Sequence, residues 1–304
     1  MIEALRTPDE NFEGLPDYDF EPHYIEDLPG YEGLRMHYIE EQGSGEGSQV
    51  GETFLCLHGQ PSWSFLYRKM IPVFAQAGGR VVAPDFFGFG RSDKPVEDEV
   101  YTFGFHQRAL AALIERLDLT NITLVCQDWG GLLGLTLVPQ MPERFTRLIV
   151  MNTGIGIGQV PSEGFLAWRE FNRTQRDLDI AALFQRSDPS LSDEVVQAYA
   201  APYPNADYKA GVRRFPDLVA TDPLMEGAAE GRRAIEFWSR EWDGKSFMAI
   251  GMKDSVLGEG PMKKLASVIR GCPEPMEVAQ GGHFVQEHGE EIARAAIANF
   301  EAGG

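Results

Sequence analysis

An apolar run, Ile122-Thr-Leu-Val-Cys, ends in Gln127-Asp128-Trp129-Gly130-Gly131 and passes directly into a helical pattern from about 130 to 140. A strand that turns into a helix across paired glycines reverses the chain within a few residues, and only small neighbours let such a turn pack. The residue at its apex is held out from strained backbone, a position from which a side chain can act as a nucleophile. Asp128 occupies that apex. An aspartate that N-caps the following helix accounts for the same residue equally well, so the elbow by itself leaves both readings open. Cys126 adds to this, since a glycine is usual at its place.

The pattern around the elbow says what kind of sheet it belongs to. Thr53-Phe-Leu-Cys-Leu, Val81-Val-Ala-Pro and Leu148-Ile-Val-Met also read as buried strands, and segments from about 64 to 77 and 103 to 117 have helical periods. Continuous apolar strands alternating with helices specify a parallel sheet with crossover connections. Leu34-Arg-Met-His-Tyr-Ile-Glu alternates as a half-exposed strand does, which predicts an antiparallel edge ahead of the parallel part. After Asn152 the order breaks. Gly154-Ile-Gly-Ile-Gly opens a stretch, to about residue 225, with helical but no strand periods. Strands resume at Phe247-Met-Ala-Ile-Gly and Met276-Glu-Val-Ala, and a helix is expected from about 289 to 300. The expected organisation is an α/β core from residues 1–153 and 226–304 with an all-helical insertion at 154–225.

Composition removes several function classes. The chain of 304 residues carries 27 basic and 46 acidic side chains, a net charge of −19, so it lacks the clustered cations that a nucleic-acid partner requires. The acid excess fits solubility, as in a salty habitat. No apolar run approaches the ~18 residues of a membrane span. The start, Met1-Ile-Glu-Ala-Leu-Arg, lacks the basic and apolar stretches of a secretory signal, and a cytoplasmic protein without membrane contact is expected. Cys56, Cys126 and Cys272 are odd in number and far apart, which suits reduced thiols rather than a disulfide framework or a metal site. Gly88-Phe-Gly90 and Gly154-Ile-Gly156 begin like dinucleotide-binding loops, but Asp93 and Gln159 stand where a third glycine is needed, so they read as turns. Trp238 and Trp242, one helical turn apart, read as packing residues.

Three further fragments fall in the order that one chemistry requires. Leu57-His58-Gly59-Gln60-Pro61 follows the first core strand, where an α/β hydrolase places the loop whose N–H completes an oxyanion hole with the N–H after the nucleophile. Asp254 ends Ala249-Ile-Gly-Met-Lys-Asp directly after a strand, and His283 follows the last strand in Gly281-Gly-His-Phe. Nucleophile, acid and histidine in that sequence form the triad order of this fold.

On these residues the chain resembles the haloalkane dehalogenases, nearly end to end. The likeness is carried by Arg6-Thr-Pro-Asp, Asp27-Leu-Pro-Gly-Tyr, Phe54-Leu-Cys-Leu-His-Gly, Leu66-Tyr-Arg-Lys-Met, Ala83-Pro-Asp-Phe-Phe-Gly-Phe-Gly, Gln127-Asp-Trp-Gly-Gly, Phe247-Met-Ala-Ile-Gly-Met-Lys-Asp and Gly282-His-Phe-Val-Gln-Glu. It is closest to the subfamily whose catalytic acid follows the strand after the cap. The resemblance implies that Asp128 is the nucleophile, Asp254 the acid and His283 the base, with the insertion as a cap over an apolar pocket. It also implies that two indoles, Trp129 and the cap residue Trp168, bind the halide. Phe165, one turn before Trp168, either lines the pocket or packs the cap. One position departs from the pattern: close relatives have Glu after His-Gly, and this chain has Gln60.

The chemistry suits those residue types. A carboxylate is anionic at neutral pH and can displace halide from an sp3 carbon without a base, leaving an alkyl ester. His283, oriented by Asp254, can activate the water that attacks this ester, with the N–H groups of Gln60 and Trp129 receiving the oxyanion. No metal or organic cofactor is needed. The expected partners are a small apolar halogenated substrate and a halide product, and a monomer is expected. An epoxide hydrolase, which shares the fold and the aspartate, is the rival enzyme; it needs two cap tyrosines, and Tyr199, Tyr203 and Tyr208 are available in the insertion. A hydrolase fold serving only as a ligand receptor is the rival outside enzymes.

Overall fold

In the computed structural model, which describes residues 2–302, eight strands form one sheet. They are β1 (Pro22–Ile25), β2 (Met36–Glu41), β3 (Thr53–Leu57), β4 (Arg80–Pro84), β5 (Ile122–Gln127), β6 (Phe145–Met151), β7 (Lys245–Gly251) and β8 (Met276–Val278). Their order across the sheet is β8-β7-β6-β5-β3-β4-β2-β1. The six strands from β8 to β4 run parallel, whereas β2 is antiparallel to β4 and β1 to β2. Every residue of β3 and of β5 is buried. Strands covered on both faces read as unbroken apolar runs, which is why the centre of the sheet was conspicuous in the sequence.

The connections after the parallel strands are helical. They include α1 (Ile71–Gln76), α2 (Phe103–Arg116) and α3 (Trp129–Leu137). Thr102 caps α2 by accepting from the Phe105 N–H at 3.1 Å, and α3 packs on both β5 and β3. Between residues 154 and 225 the described chain has no strand. It forms α4 (Glu163–Thr174), α5 (Ile180–Ser187), α6 (Asp193–Ala200) and α7 (Ala210–Leu218). The side chains of Ser162, Asp179 and Ser192 cap the first three of these. The chain then returns through α8 (Ala228–Arg240) to β7, and α9 (Glu259–Val268) and α10 (Gly289–Ala302) complete the molecule. Trp238 of α8 is buried and its indole N–H donates to the Leu135 carbonyl of α3 at 2.8 Å, so this pair packs as expected. Cys56 and Cys126 are buried free thiols and Cys272 is half-buried.

Two local expectations are corrected. The segment from 64 to 77 is not one helix: Ser64–Tyr67 forms a 3-10 turn, and α1 begins only at Ile71. Pro72 sits in the first turn of α1; its ring lacks an N–H and crowds the carbonyl four residues back, which favours a helix that starts there over one that runs through it. The sheet edge is also not the strand at 36–41. Four of the six residues in β2 are buried, and β1 lies outside it. β1 is four residues long and begins with Pro22, a residue that an edge strand tolerates; a strand so short shows no period in an acidic segment.

The insertion is tied to the core by specific contacts. The Trp63 indole donates to the Ala198 carbonyl of α6 at 3.2 Å, and the Tyr203 hydroxyl donates to the Pro61 carbonyl at 3.1 Å. Arg68, fully buried, grips Glu287 through two bonds of 2.9 and 2.7 Å, and Tyr199 of α6 donates to the same carboxylate at 2.5 Å. Phe184 of α5 stacks between Tyr199 and Phe284, with centroids 3.7 and 4.0 Å away. Among the described residues no helix is long and apolar enough to cross a membrane.

Candidate active site

The carboxyl ends of β3, β5, β7 and β8 deliver four loops to one place, as open parallel sheets do. At the end of β5 the chain turns through Asp128, whose φ of 48° and ψ of −121° are unfavourable for a side-chain-bearing residue. Such a backbone costs on the order of 1–3 kcal/mol and persists only where the surroundings over-determine it. They do so here. The Asp128 N–H donates to the Asn152 carbonyl at 3.0 Å, and its own carbonyl accepts from the Gly131 and Leu132 N–H groups and from the Thr153 hydroxyl at 2.7 Å. Gly130 is required at the next position, because a Cβ there would lie 1.9 Å from the Leu57 carbonyl oxygen. The side chain of Asp128 makes no capping bond to α3, so the helix-cap account of this residue does not hold.

Instead the carboxylate faces the loop after β3. Its Oδ2 accepts from the Gln60 N–H at 2.9 Å, and the backbone N–H of Trp129 also favours the charged form. Gly59 allows the approach: a Cβ on it would stand 2.5 Å from Oδ2. Burial raises the Asp128 pKa, while the charge of His283 and the two amide donors oppose that rise.

The second carboxylate has a different task. Asp254 follows β7 and its Oδ2 meets His283 Nδ1 at 2.7 Å. Its Oδ1 accepts from the Val256 and Leu257 N–H groups at 2.8 and 3.0 Å, and Asn152 donates to Oδ2 at 3.0 Å. Burial works against this charge, but His283 and the donors hold Asp254 well below the usual carboxylate range. For His283 burial favours the neutral ring, and the charge and hydrogen bond of Asp254 together with the charge of Asp128 outweigh it, pushing the pKa to about 9. Gln127, buried at the end of β5, donates to the His283 carbonyl at 3.0 Å and its amide nitrogen lies 3.1 Å from His283 Nε2.

All seven residues singled out in the sequence line one cavity: Gln60, Asp128, Trp129, Phe165, Trp168, Asp254 and His283. The two indoles in it differ from the other three in the chain. Trp63, Trp238 and Trp242 each donate to a protein oxygen. Among the described residues neither Trp129 nor Trp168 has such an acceptor, although Trp129 is buried and Trp168 half-buried. Phe165 lines the cavity from α4. The Gln60 side chain does more than substitute for a glutamate, because its Nε2 donates to the Val212 carbonyl of α7 at 3.0 Å.

The tyrosines that an epoxide opening would need are elsewhere. The hydroxyls of Tyr203 and Tyr199 are committed to Pro61 and Glu287, and neither these residues nor Tyr208 line the cavity. Sequence reasoning missed Gln127, Asn152 and Thr153. Asn152 had a visible signal, a polar side chain closing the apolar run Leu148–Met151, whereas nothing in the sequence pairs Gln127 with a histidine 156 residues away. Among the described residues no group of three His, Cys, Asp or Glu is arranged to hold a metal ion.

Comparison with known proteins bears on what this arrangement does. Residues 52–290 match the family model of the alpha/beta hydrolase fold. The chain is 40% identical over 303 residues to a haloalkane dehalogenase of Psychrobacter cryohalolentis, covering 97% of each chain. It is 38% identical over 301 residues to one of Mycolicibacterium paratuberculosis, covering 97% of this chain and 98% of that one. In structure it is similar to the haloalkane dehalogenase DpaA of Paraglaciecola agarilytica, described as tetrameric, with a TM-score of 0.94, 56% identity and 98% of each chain covered.

Proposed function

Because this chain belongs to the haloalkane dehalogenases, hydrolases of the α/β fold that act on carbon–halogen bonds, we propose that Asp128, Asp254 and His283 carry that reaction and that Trp129 and Trp168 receive the halide. The hydrolysis converts a haloalkane and water to an alcohol, a halide ion and a proton. In the first step an Asp128 carboxylate oxygen bonds to the halogen-bearing carbon as the carbon–halogen bond breaks, and the halide leaves with the bonding pair. The charge that grows on the halogen needs donors already in place, and the observation that carries the assignment is the pair of indoles in one cavity whose N–H groups have no protein acceptor. In the second step His283 Nε2 takes a proton from water as the water oxygen attacks the ester carbonyl. The N–H of Gln60, which already bonds the Asp128 carboxylate, and that of Trp129, which favours its charge, stabilise the oxyanion. As it collapses the alcohol leaves with the proton that His283 took, and the regenerated Asp128 carboxyl gives its own proton to solvent.

The electrostatics suit that order. Esterification removes the Asp128 charge, one of the influences that keep His283 protonated, so more of the ring is neutral and able to accept a proton at the moment a base is required. Residues 154–225 serve as the cap, an assignment supported by Phe165 and Trp168 reaching the cavity from α4. For assembly, a tetramer like that of the relative from Paraglaciecola agarilytica replaces the monomer expected from sequence, a reading that rests on 56% identity over almost the whole chain; light scattering after size exclusion checks it.

The test of the site is a trap. In His283→Phe, 1-bromobutane should release one halide per site and leave a butyl adduct on the peptide containing Asp128, seen by mass spectrometry. Asp128→Ala should give neither. An inactive His283→Phe enzyme without an adduct would remove histidine from the second step.

A further inference from the structure

The cavity that holds the reacting groups is far larger than a short haloalkane needs. Its volume is about 1010 Å3, at the upper end of the range that encloses drug-sized ligands. Apolar side chains such as Leu132, Ile155, Leu257, Leu265 and Val268 line it. Apart from Asp128, Asp254 and His283, the ionisable residues in its wall are Arg186, Lys253 and Lys264. All three are exposed, so they stand where the cavity opens to solvent, Arg186 on α5 and the other two on the core after β7 and within α9.

This mouth runs against the rest of the molecule, in which 46 acidic residues outnumber 27 basic ones. Among the described residues none of the three cations is paired with a carboxylate. Lys253 donates to the neutral side chain of Gln280 at 2.5 Å, Arg186 lies 5.5 Å from the Phe171 ring centroid, and the Lys264 ammonium has no hydrogen-bond acceptor among the described residues. The acids nearest in sequence to Arg186 and Lys264, Asp188 and Glu259, are outside the cavity wall, Asp188 accepting from the Ser190 hydroxyl at 2.6 Å and Glu259 held by Lys263 at 2.7 Å, while Asp254, beside Lys253, is engaged by His283 at 2.7 Å. Uncompensated cations around an apolar cleft concentrate anions there and do nothing for a neutral substrate.

We propose that the substrate class this pocket is shaped for is an alkyl halide with a terminal carboxylate. The halogen end sits at Trp129 and Trp168, the chain lies along the apolar wall, and the carboxylate is held at the mouth by Arg186, Lys253 and Lys264. The inference rests on the dehalogenase reading of the cavity; the carboxylate takes no part in the bond changes and comes out unaltered at the far end of a hydroxy acid.

The experiment compares ω-bromoalkanoates with 1-bromoalkanes of equal carbon number from C4 to C12, using the full chain and the variant Arg186→Gln/Lys253→Gln/Lys264→Gln. The variant should lose about tenfold or more in kcat/KM on the bromoalkanoate of best length, through KM, and stay within about twofold on the matching bromoalkane. Raised ionic strength should erode the same preference in the parent enzyme. The single exposed change Lys264→Glu should act in the same direction. Equal effects on both substrate series, or no effect on either, would overturn the inference. So would a variant altered only in inhibition by added bromide, since the mouth would then serve the product. Turnover of bromoalkanes alone overturns this inference and leaves the dehalogenase site standing; turnover of neither series overturns both.

Discussion

The two walls of the pocket are built differently. On the core side Asp128 is fixed by four backbone and side-chain bonds to its main chain, by glycines that admit no Cβ, and by strands whose residues are wholly buried. On the cap side α4 has one buried residue, Asn172, while Phe165 and Trp168 are only half-buried. The proposed reacting centre therefore belongs to a firmly held part of the molecule, and the proposed halide donor Trp168 to a more loosely held one. A cap held by a few discrete contacts leaves substrate choice free to change without disturbing the nucleophile. The contrast predicts that changes in the core wall abolish function and that changes in the cap wall grade it.

The strongest challenge to that contrast is Gly130→Ala. A methyl group 1.9 Å from the Leu57 carbonyl has only backbone to push against, so the variant should lose turnover and about 3 kcal/mol of stability, read by denaturant unfolding. Retained activity would show that the elbow is softer than its contacts imply. Trp168→Phe comes next. It keeps the ring and removes one donor, and rapid-quench measurement should show carbon–halogen cleavage slowed by on the order of 10²-fold with ester hydrolysis little changed.

Smaller effects are expected where the cap holds the oxyanion loop. Gln60→Glu keeps the backbone N–H but sets a carboxylate against the Val212 carbonyl, and Tyr203→Phe deletes the bond to Pro61. Each should lower kcat/KM by about tenfold or less, roughly 1.4 kcal/mol; a loss as large as that of a catalytic residue would mean that the cap is as rigid as the core. The smallest effect is on pH. If hydrolysis uses neutral His283 as proposed, its rate should rise with pH and level off once the ring is deprotonated. In the alkyl-enzyme that limb should lie below the value of about 9 set when both carboxylates are charged, and His283 in Asp128→Asn should titrate lower by NMR. A limb unchanged from the free enzyme would show that Asp128 exerts no hold on the base.

Much of this was legible in the sequence because the core wall is built from local signals. A buried parallel strand is a continuous apolar run, an elbow is a strand meeting two glycines, and the loops bearing Gln60, Asp128, Asp254 and His283 each follow such a strand in order. What was misread was either very short or interrupted, as with β1 and the segment broken at Pro72. The linear chain also determined the acid excess and the helical character of the insertion.

Tertiary structure alone decided the rest, and the reason is distance along the chain. Whether Asp128 caps a helix or faces Gln60 depends on where a loop 68 residues earlier comes to lie. The pairing of Gln127 with His283, the commitment of Tyr203 to Pro61 and of Tyr199 to Glu287, and the unsatisfied N–H groups of two indoles out of five are outcomes of packing among elements that share no local pattern. The cationic mouth is of the same kind. Arg186, Lys253 and Lys264 are ordinary surface residues in the sequence and become a group only because the fold of the cap over the core brings one cavity to all three.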